Sequence, residues 1–252
     1  MHSPAPPEDD WDAHWERYAD SAVRNPAQGM RHDFIARLLG EAAAGQKVRI
    51  LDLGSGQGDL LKKLSKLLPE ALLLGTEMSE KGVAISRQKV PRASFIVADI
   101  FHPPPSCSEY LGWATHAVCS EVLEHVDNPI SFLEHARQYL APQATLIVTV
   151  PGGPISAFDR HIGHRRHFDR KSIRETLEQA GYSVERVYAT GFPFFNLYRL
   201  SVIAAGQQVQ SGGASSILAT CLMRAFRFLF HGNFLDSRFG WQLVAVARNT
   251  SV

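Results

Sequence analysis

The 252-residue chain is marked first by what it lacks. No run of 18 apolar residues occurs, so no transmembrane helix is expected. Its most lipid-like stretch, Ile217 to Leu235, is interrupted by Arg224, Arg227 and His231. The opening MHSPAPPEDDWD has no basic segment followed by an apolar one and does not read as a secretory signal. Cysteine is scarce. Cys107, Cys119 and Cys221 are odd in number, far apart, and form no CxxC pair. Neither a disulfide framework nor a cysteine zinc site is suggested, and a reducing, cytoplasmic setting is the expectation. Net charge is nearly absent as well. Lys plus Arg is 26 against 25 for Asp plus Glu, a sum of +1 that argues against a nucleic-acid partner. There is no internal repeat and no low-complexity tract.

What is present is the composition of an ordinary globular domain, 45% hydrophobic and 20% charged. The small net charge hides a segregation. Six acids (Glu8, Asp9, Asp10, Asp12, Glu16, Asp20) face one base, Arg17, over residues 8–20. Six bases (Arg160, Arg165, Arg166, Arg170, Lys171, Arg174) face two acids, Asp159 and Asp169, over residues 159–174.

Residues 1–10 are acidic and Pro-rich and read as a disordered tail. Residues 11–45 read as a helical cap of two helices broken by Pro26, with Trp11, Trp15 and Tyr18 stapling the first over the ligand crevice. From residue 46 to 252, short apolar strands alternate with helices. The strands are placed at Val48–Leu53, Ala71–Thr76, Phe95–Ala98, from Ala117, and at Thr145–Val150, Val184–Tyr188 and Leu243–Ala247. Ser79 is expected to cap one helix and Asp169 another, Pro129–Leu140 is expected to be helical up to Pro142, and residues 102–108 form a loop. Residues 190–240 read as an insertion. The order predicts an α/β fold: a mostly parallel sheet with helices on both faces.

The sharpest local signal is Ile50-Leu-Asp-Leu-Gly-Ser-Gly-Gln-Gly-Asp-Leu60, a buried strand running through Gly54, Gly56 and Gly58 into a helix. Glycines let the backbone turn and approach a ligand closely. A dinucleotide fingerprint would place Gly where Asp59 stands, which disfavours a nicotinamide oxidoreductase. Glu77 falls about twenty residues past the loop, where a carboxylate can accept from ribose hydroxyls. Asp99, at the end of the third strand, could accept from an adenine amino group, and Met78 could pack on the base.

With these residues in order, the chain resembles the class I S-adenosylmethionine-dependent methyltransferases. Asp52 to Gly58, Glu77, Asp99 in Val-Ala-Asp-Ile and the strand Ala117-Val-Cys-Ser-Glu121 match the family's successive motifs over about residues 30–190 and the last strand. The resemblance implies a Rossmann-like sheet of seven strands, the last antiparallel, with S-adenosyl-L-methionine as cofactor. It implies cofactor contacts at Asp52, Gly54, Gly56, Gly58, Glu77, Met78 and Asp99.

Three segments compete for the acceptor side. Ser120-Glu-Val-Leu-Glu-His-Val126 resembles the EVLEH element of small-molecule methyltransferases such as the ubiquinone-pathway O-methyltransferases. A helix start would group Glu121, Glu124 and His125. In some relatives of this type such residues hold a divalent cation, joined here by His164 or His167, as in 2′-O-methyltransferases; a metal is not the favoured reading. Arg160-His-Ile-Gly-His-Arg-Arg-His-Phe168 brings His161, His164 and His167 into a loop, with His164 or His167 as a base and Arg165 and Arg166 as an anion clamp. The alternative is a solvated basic loop. In 190–240, a helix from Ile217 puts Leu218, Cys221, Leu222, Ala225, Phe226 and Leu229 on one face, opposite Thr220, Arg224, Arg227 and His231. That face suits a cover for the sheet, a homodimer contact, a lid over a lipophilic acceptor, or a peripheral membrane contact.

The expected activity is methyl transfer to a small-molecule, sugar or lipid-type acceptor, anionic or lipophilic, at oxygen, with His125, Glu121, His164 and His167 as catalytic candidates. The alternative class is a non-catalytic binding module that keeps the fold.

Overall fold

The computed structural model describes residues 10–13, 15–16, 25–42, 47–205 and 217–250. The expected tail, apart from Asp10, lies outside the described residues, as do Tyr18 and the side chains of Leu218 and Thr220.

Seven strands form one sheet: β1 (Arg49–Leu53), β2 (Leu72–Glu77), β3 (Ser94–Val97), β4 (Ala114–Ser120), β5 (Leu140–Pro151), β6 (Tyr182–Thr190) and β7 (Gln242–Asn249). Their order is β3-β2-β1-β4-β5-β7-β6. The first five run parallel, and β7 lies antiparallel between β5 and β6. Alternate residues feed two cores. Leu51, Cys119, Leu146, Val148 and Ala245 pack on one face, and Ile50, Val118, Ile147 and Val244 on the other. Burial on both faces explains why these strands read as continuous apolar runs.

The helices are α1 (Pro26–Ala42), α2 (Asp59–Leu67), α3 (Glu80–Lys89), α4 (Pro129–Arg137), α5 (Ala157–His161), α6 (Arg170–Gln179), α7 (Phe194–Ala205) and α8 (Ile217–Leu229). Pro26 opens α1, where its missing N–H costs nothing. Ser79 caps α3 by accepting from Gly82 N, and Asp169 caps α6 by accepting from Ser172 N, both as expected.

Three local expectations need correction. The helix from Pro129 ends at Arg137, and Pro142 lies within β5. Proline is tolerated there because Gln143 takes φ 60° and regular pairing with β4 resumes only at Thr145, after a register shift. The 102–108 loop contains most of a 3-10 turn, Pro105–Tyr110. In α8, Phe226 is buried with Phe230, Phe195, Tyr198 and Ala27, while Cys221 and Leu222 of the expected inner face are exposed. The large rings at i and i+4 reach α7 and α1 and set the rotation of the helix; smaller Cys221 and Ala225 turn outward.

Candidate active site

The C-terminal ends of β1, β2, β4 and β5 bound one crevice, as parallel sheets of this topology do. At its β1 side the glycines take left-handed backbone angles, with φ 71° at Gly54, 55° at Gly56 and 77° at Gly58. A Cβ at Gly54 would lie 2.6 Å from Val122 Cγ2, and one at Gly56 would lie 2.5 Å from Trp15 Cζ2. Both conformation and space therefore require glycine there. Gly56 N donates to Glu77 Oε2 at 2.9 Å, and Ser79 N donates to Oε1 at 3.0 Å. Burial pushes the Glu77 carboxyl up, while these amides and the Trp15 side chain oppose the shift. Asp52 is buried beside it, and burial together with the Glu77 charge pushes its carboxyl up to about 8.

The helical residues 11–13 and 15–16, ahead of α1, close over this end, where the first cap helix is expected. Asp12 accepts from Ser79 Oγ and from Lys81 N, and the Trp15 ring lies on Gly56 and Gly82. Four residues earlier, Trp11 meets the His125 ring edge-on at 5.0 Å. One stretch of chain thus touches both ends of the crevice. Met78 is exposed, and Asp99 turns into its own loop, accepting from Phe101 N and pairing with His102 Nδ1, each at 2.9 Å.

The β4 side departs from the expected helix start. Residues 121–127 form a turn, with Glu121 at φ 57°. Glu121 Oε1 accepts from Thr149 Oγ1 at 3.1 Å and from Gln242 Nε2 at 2.9 Å, and Arg31 stands 3.6 Å from Oε2. Glu121 therefore does not join Glu124 and His125. Those two meet His164 instead, and one ligand-type atom from each lies within 4.8 Å of the others. Glu124 is fully buried, and neither carboxylate oxygen has a hydrogen-bond partner among the described residues. Burial, then the Glu121 charge, pushes its carboxyl well above the usual range.

The histidines form a relay with a fixed polarity. His167 Nδ1 lies 3.1 Å from Gly153 O, and a carbonyl can only accept. Nδ1 of His167 therefore carries the proton, and its Nε2 accepts from His164 Nδ1 at 3.2 Å. This leaves His164 Nε2 with a bare lone pair, 4.0 Å from Glu124 Oε1. Both rings are neutral: burial holds His164 at about 3 and lowers His167. His161 is exposed at the end of α5, outside this group.

Behind the relay sits Asp159, fully buried. Its carboxylate accepts from Ser156 N and Oγ and from Arg199 Nη2, at 2.7 to 3.0 Å. Burial alone would raise its pKa, but the Ser156 bonds and Arg199 overcome that and lower it. The two arginines of the expected anion clamp are engaged with Asp127 in this structure. Arg165 pairs with Asp127 at 2.6 Å and Arg166 donates to Asp127 O at 2.9 Å, tying the loop to the turn after β4.

A family model for a methyltransferase domain matches residues 24–187. This chain belongs to the class I S-adenosylmethionine-dependent methyltransferases. Among curated relatives, trans-aconitate 2-methyltransferase of Methylobacterium nodulans is 31% identical over 147 residues, 56% of this chain and 50% of that protein. The enzyme of the same name from Yersinia pestis is 28% identical over 180 residues, 71% of this chain and 63% of that one. The chain thus spans half to somewhat under two thirds of these relatives' length. Among solved structures, a putative sarcosine dimethylglycine methyltransferase from Galdieria sulphuraria has a TM-score of 0.62 at 13% identity, covering 89% of this chain and 87% of that one; it shares the fold.

The methyltransferase's residues fit its cofactor, S-adenosylmethionine. The cradle that a Cβ would fill at Gly54 and Gly56 leaves room for a close ligand, and Asp52 and Glu77 are the buried acids that a ligand ammonium and a ribose diol require. Sequence reasoning missed Asp159, Arg199, Arg31 and Gln242. For Asp159 a signal existed: Ser156-Ala-Phe-Asp159 is a capping-box pattern, and both reciprocal bonds form. Arg199 stands alone among the apolar residues of Phe194–Ala205, and a charge there needs a buried partner.

Proposed function

We propose that this methyltransferase acts on an oxygen of a small-molecule acceptor held beside the Trp11 segment and the Glu124–His125–His164 group. The observation that carries this reading is Glu124, a buried carboxylate without a partner beside a bare imidazole nitrogen. When bound, the cofactor supplies the activated methyl group, so the protein's part is to position, exclude water and manage a proton. A carboxylate made more basic by burial is better suited than an ordinary one to accept a proton from an acceptor hydroxyl. His164, held neutral, keeps its Nε2 lone pair 4.0 Å from Glu124 Oε1 and can accept a hydrogen bond from the protonated carboxyl, and His167, oriented by Gly153 O, fixes the tautomer that allows this. Trp11 on His125 and Trp15 on Gly56 keep water out. Asp52, Gly54, Gly56, Gly58 and Glu77 would hold the cofactor, with Met78 and Asp99 at its open edge. The curated relatives are named for an organic acid, trans-aconitate, which makes organic acids the first acceptors to try alongside sugars and lipid-type molecules.

The test is transfer of labelled methyl from S-adenosylmethionine into a metabolite pool, with mass spectrometry of the product. A labelled ether or ester lost in Glu124→Gln is expected. A product methylated at carbon or nitrogen would sink the oxygen assignment, and a cofactor-binding protein without turnover would favour the binding-module reading.

A second reading rests on the same unpartnered carboxylate. Glu124, His125 and His164 together offer the oxygen and nitrogen donors a divalent cation takes. Metal analysis of the purified protein checks it: about one equivalent, lost in Glu124→Ala, supports a cation, and none argues against it.

A further inference from the structure

A second cleft lies away from the glycine loop. It has a volume of about 950 Å³ and opens between the start of α6, the start of α7 and the entry to β7. That is the upper end of the size range of small-ligand pockets, roughly 300–1,000 Å³. Its walls are aromatic and aliphatic, chiefly Phe168, Phe192, Phe194, Leu197, Leu200 and Phe239. Three of these stay in solvent: Leu197 is 54% exposed, Leu200 49% and Phe239 50%. Phe234, 58% exposed, stacks on Phe192 at 12°. Apolar side chains left open at the mouth of a cavity mark a surface that gains by being covered.

The charges around the mouth select what covers it. The charged residues that line it are Asp169, Arg170, Lys171 and Arg238. Arg170 is neutralised by Asp236, which lies outside the cleft wall and also accepts from Ala189 N. Asp169, the acid in the cleft wall, is spent on the α6 cap. Lys171 and Arg238 remain as the cations of the mouth. Lys171 has only a loose pair with exposed Glu175, at 3.7 Å. The Arg238 guanidinium lies over the Phe239 ring at 4.5 Å rather than against a carboxylate. An apolar trough with a cationic rim complements a hydrocarbon chain that ends in an anion.

The floor of the cleft also separates it from the histidine relay by very little. Gly152 and Gly153 form that floor, and Gly153 O is the atom that His167 Nδ1 bonds. A Cβ at Gly153 would lie 2.7 Å from the Trp241 ring, so the backbone is as thin there as a chain can be.

We propose that this cleft binds a single-chain anionic amphiphile, its hydrocarbon chain between Leu197, Leu200 and Phe192 and its acidic head at Arg238 and Lys171. The claim concerns binding, and it stands whether or not the amphiphile is the methyl acceptor. Calorimetric titration of the full chain with dodecanoate below its micelle concentration tests it, beside dodecanol and anionic phosphatidylglycerol vesicles. Saturable one-to-one binding of dodecanoate is expected, at least about tenfold tighter than dodecanol. Arg238→Glu should remove that preference, and Leu200→Asp, at an exposed position, should abolish binding while S-adenosylhomocysteine affinity stays unchanged. No dodecanoate binding, or binding indifferent to Leu200→Asp, overturns the proposal. So does binding to vesicles without binding to the monomeric acid, which would make the surface a membrane contact. A concentration-dependent dimer abolished by Leu200→Asp overturns it as well, in favour of self-association.

Discussion

Glu77 and Glu124 are both buried acids at the ends of strands that flank β1, yet they are held differently. Glu77 accepts from two main-chain amides, Gly56 and Ser79, within one strand–turn–helix unit and its neighbour. Glu124 has no hydrogen-bond partner for its carboxylate among the described residues, and the groups around it come from the turn after β4 and the loop after α5. An acid satisfied by backbone is complete before any ligand arrives and suits an invariant one. An acid left bare in a dry site costs the empty protein stability, and such a cost is retained where a particular ligand or proton completes the site.

The comparison can be broken in four ways. Glu124→Gln has the largest expected effect: turnover falls by about 10²–10⁴, while calorimetry shows S-adenosylhomocysteine binding as in the parent. Equal losses in both would mean that the two ends are one unit. Arg199→Ala comes next. It leaves Asp159 buried without its cation and should cost about 3 kcal/mol, read as a lower denaturation midpoint. An unchanged midpoint would show that Ser156 suffices to hold Asp159.

Asp52 sharpens the other end. Its carboxyl is raised from 3.8 to about 8 by burial and by Glu77. A raised acid favours the folded protein below its unfolded value, and that contribution is lost as pH rises through the folded one. The unliganded protein should therefore lose stability between about pH 4 and pH 8 from this group. A ligand ammonium needs the carboxylate form, so S-adenosylhomocysteine binding should tighten with pH, by up to about tenfold per unit below about 8. Asp52→Asn should flatten both dependences; if the slopes persist, another group titrates. The smallest effect is expected from Arg165→Ala. Its partner Asp127 is mostly exposed, so the change should cost less than about 1 kcal/mol and leave the acceptor KM unchanged. A large rise in KM would restore the anion-clamp reading.

The glycine-loop end was legible in the sequence because its determinants are local. Positive φ selects Gly54, Gly56 and Gly58, and Glu77 follows at a distance that one helix and one strand determine. The sheet was legible for the same reason, since period and punctuation are short-range signals. The histidine end was not. Glu121 was grouped with Glu124 by spacing, but a left-handed residue at 121 turns it toward Thr149 and Gln242, the latter 121 positions away. Asp159 meets Arg199 across 40 positions, and nothing near either residue announces the other. The rotation of α8 failed likewise: a periodic stripe marks an apolar face, but side-chain volume decided which part of it was buried.

The Arg199–Asp159 bond has a bearing on how such enzymes could be re-engineered. It couples the helical segment between β6 and β7 to the loop that carries His164 and His167. Transplanting residues 190–240 between relatives would strip that loop of its anchor, and transplanting the loop alone would bury an unmatched cation. The two segments form one exchangeable cassette, and chimaeras should be cut so that residues 156–167 and 190–240 travel together.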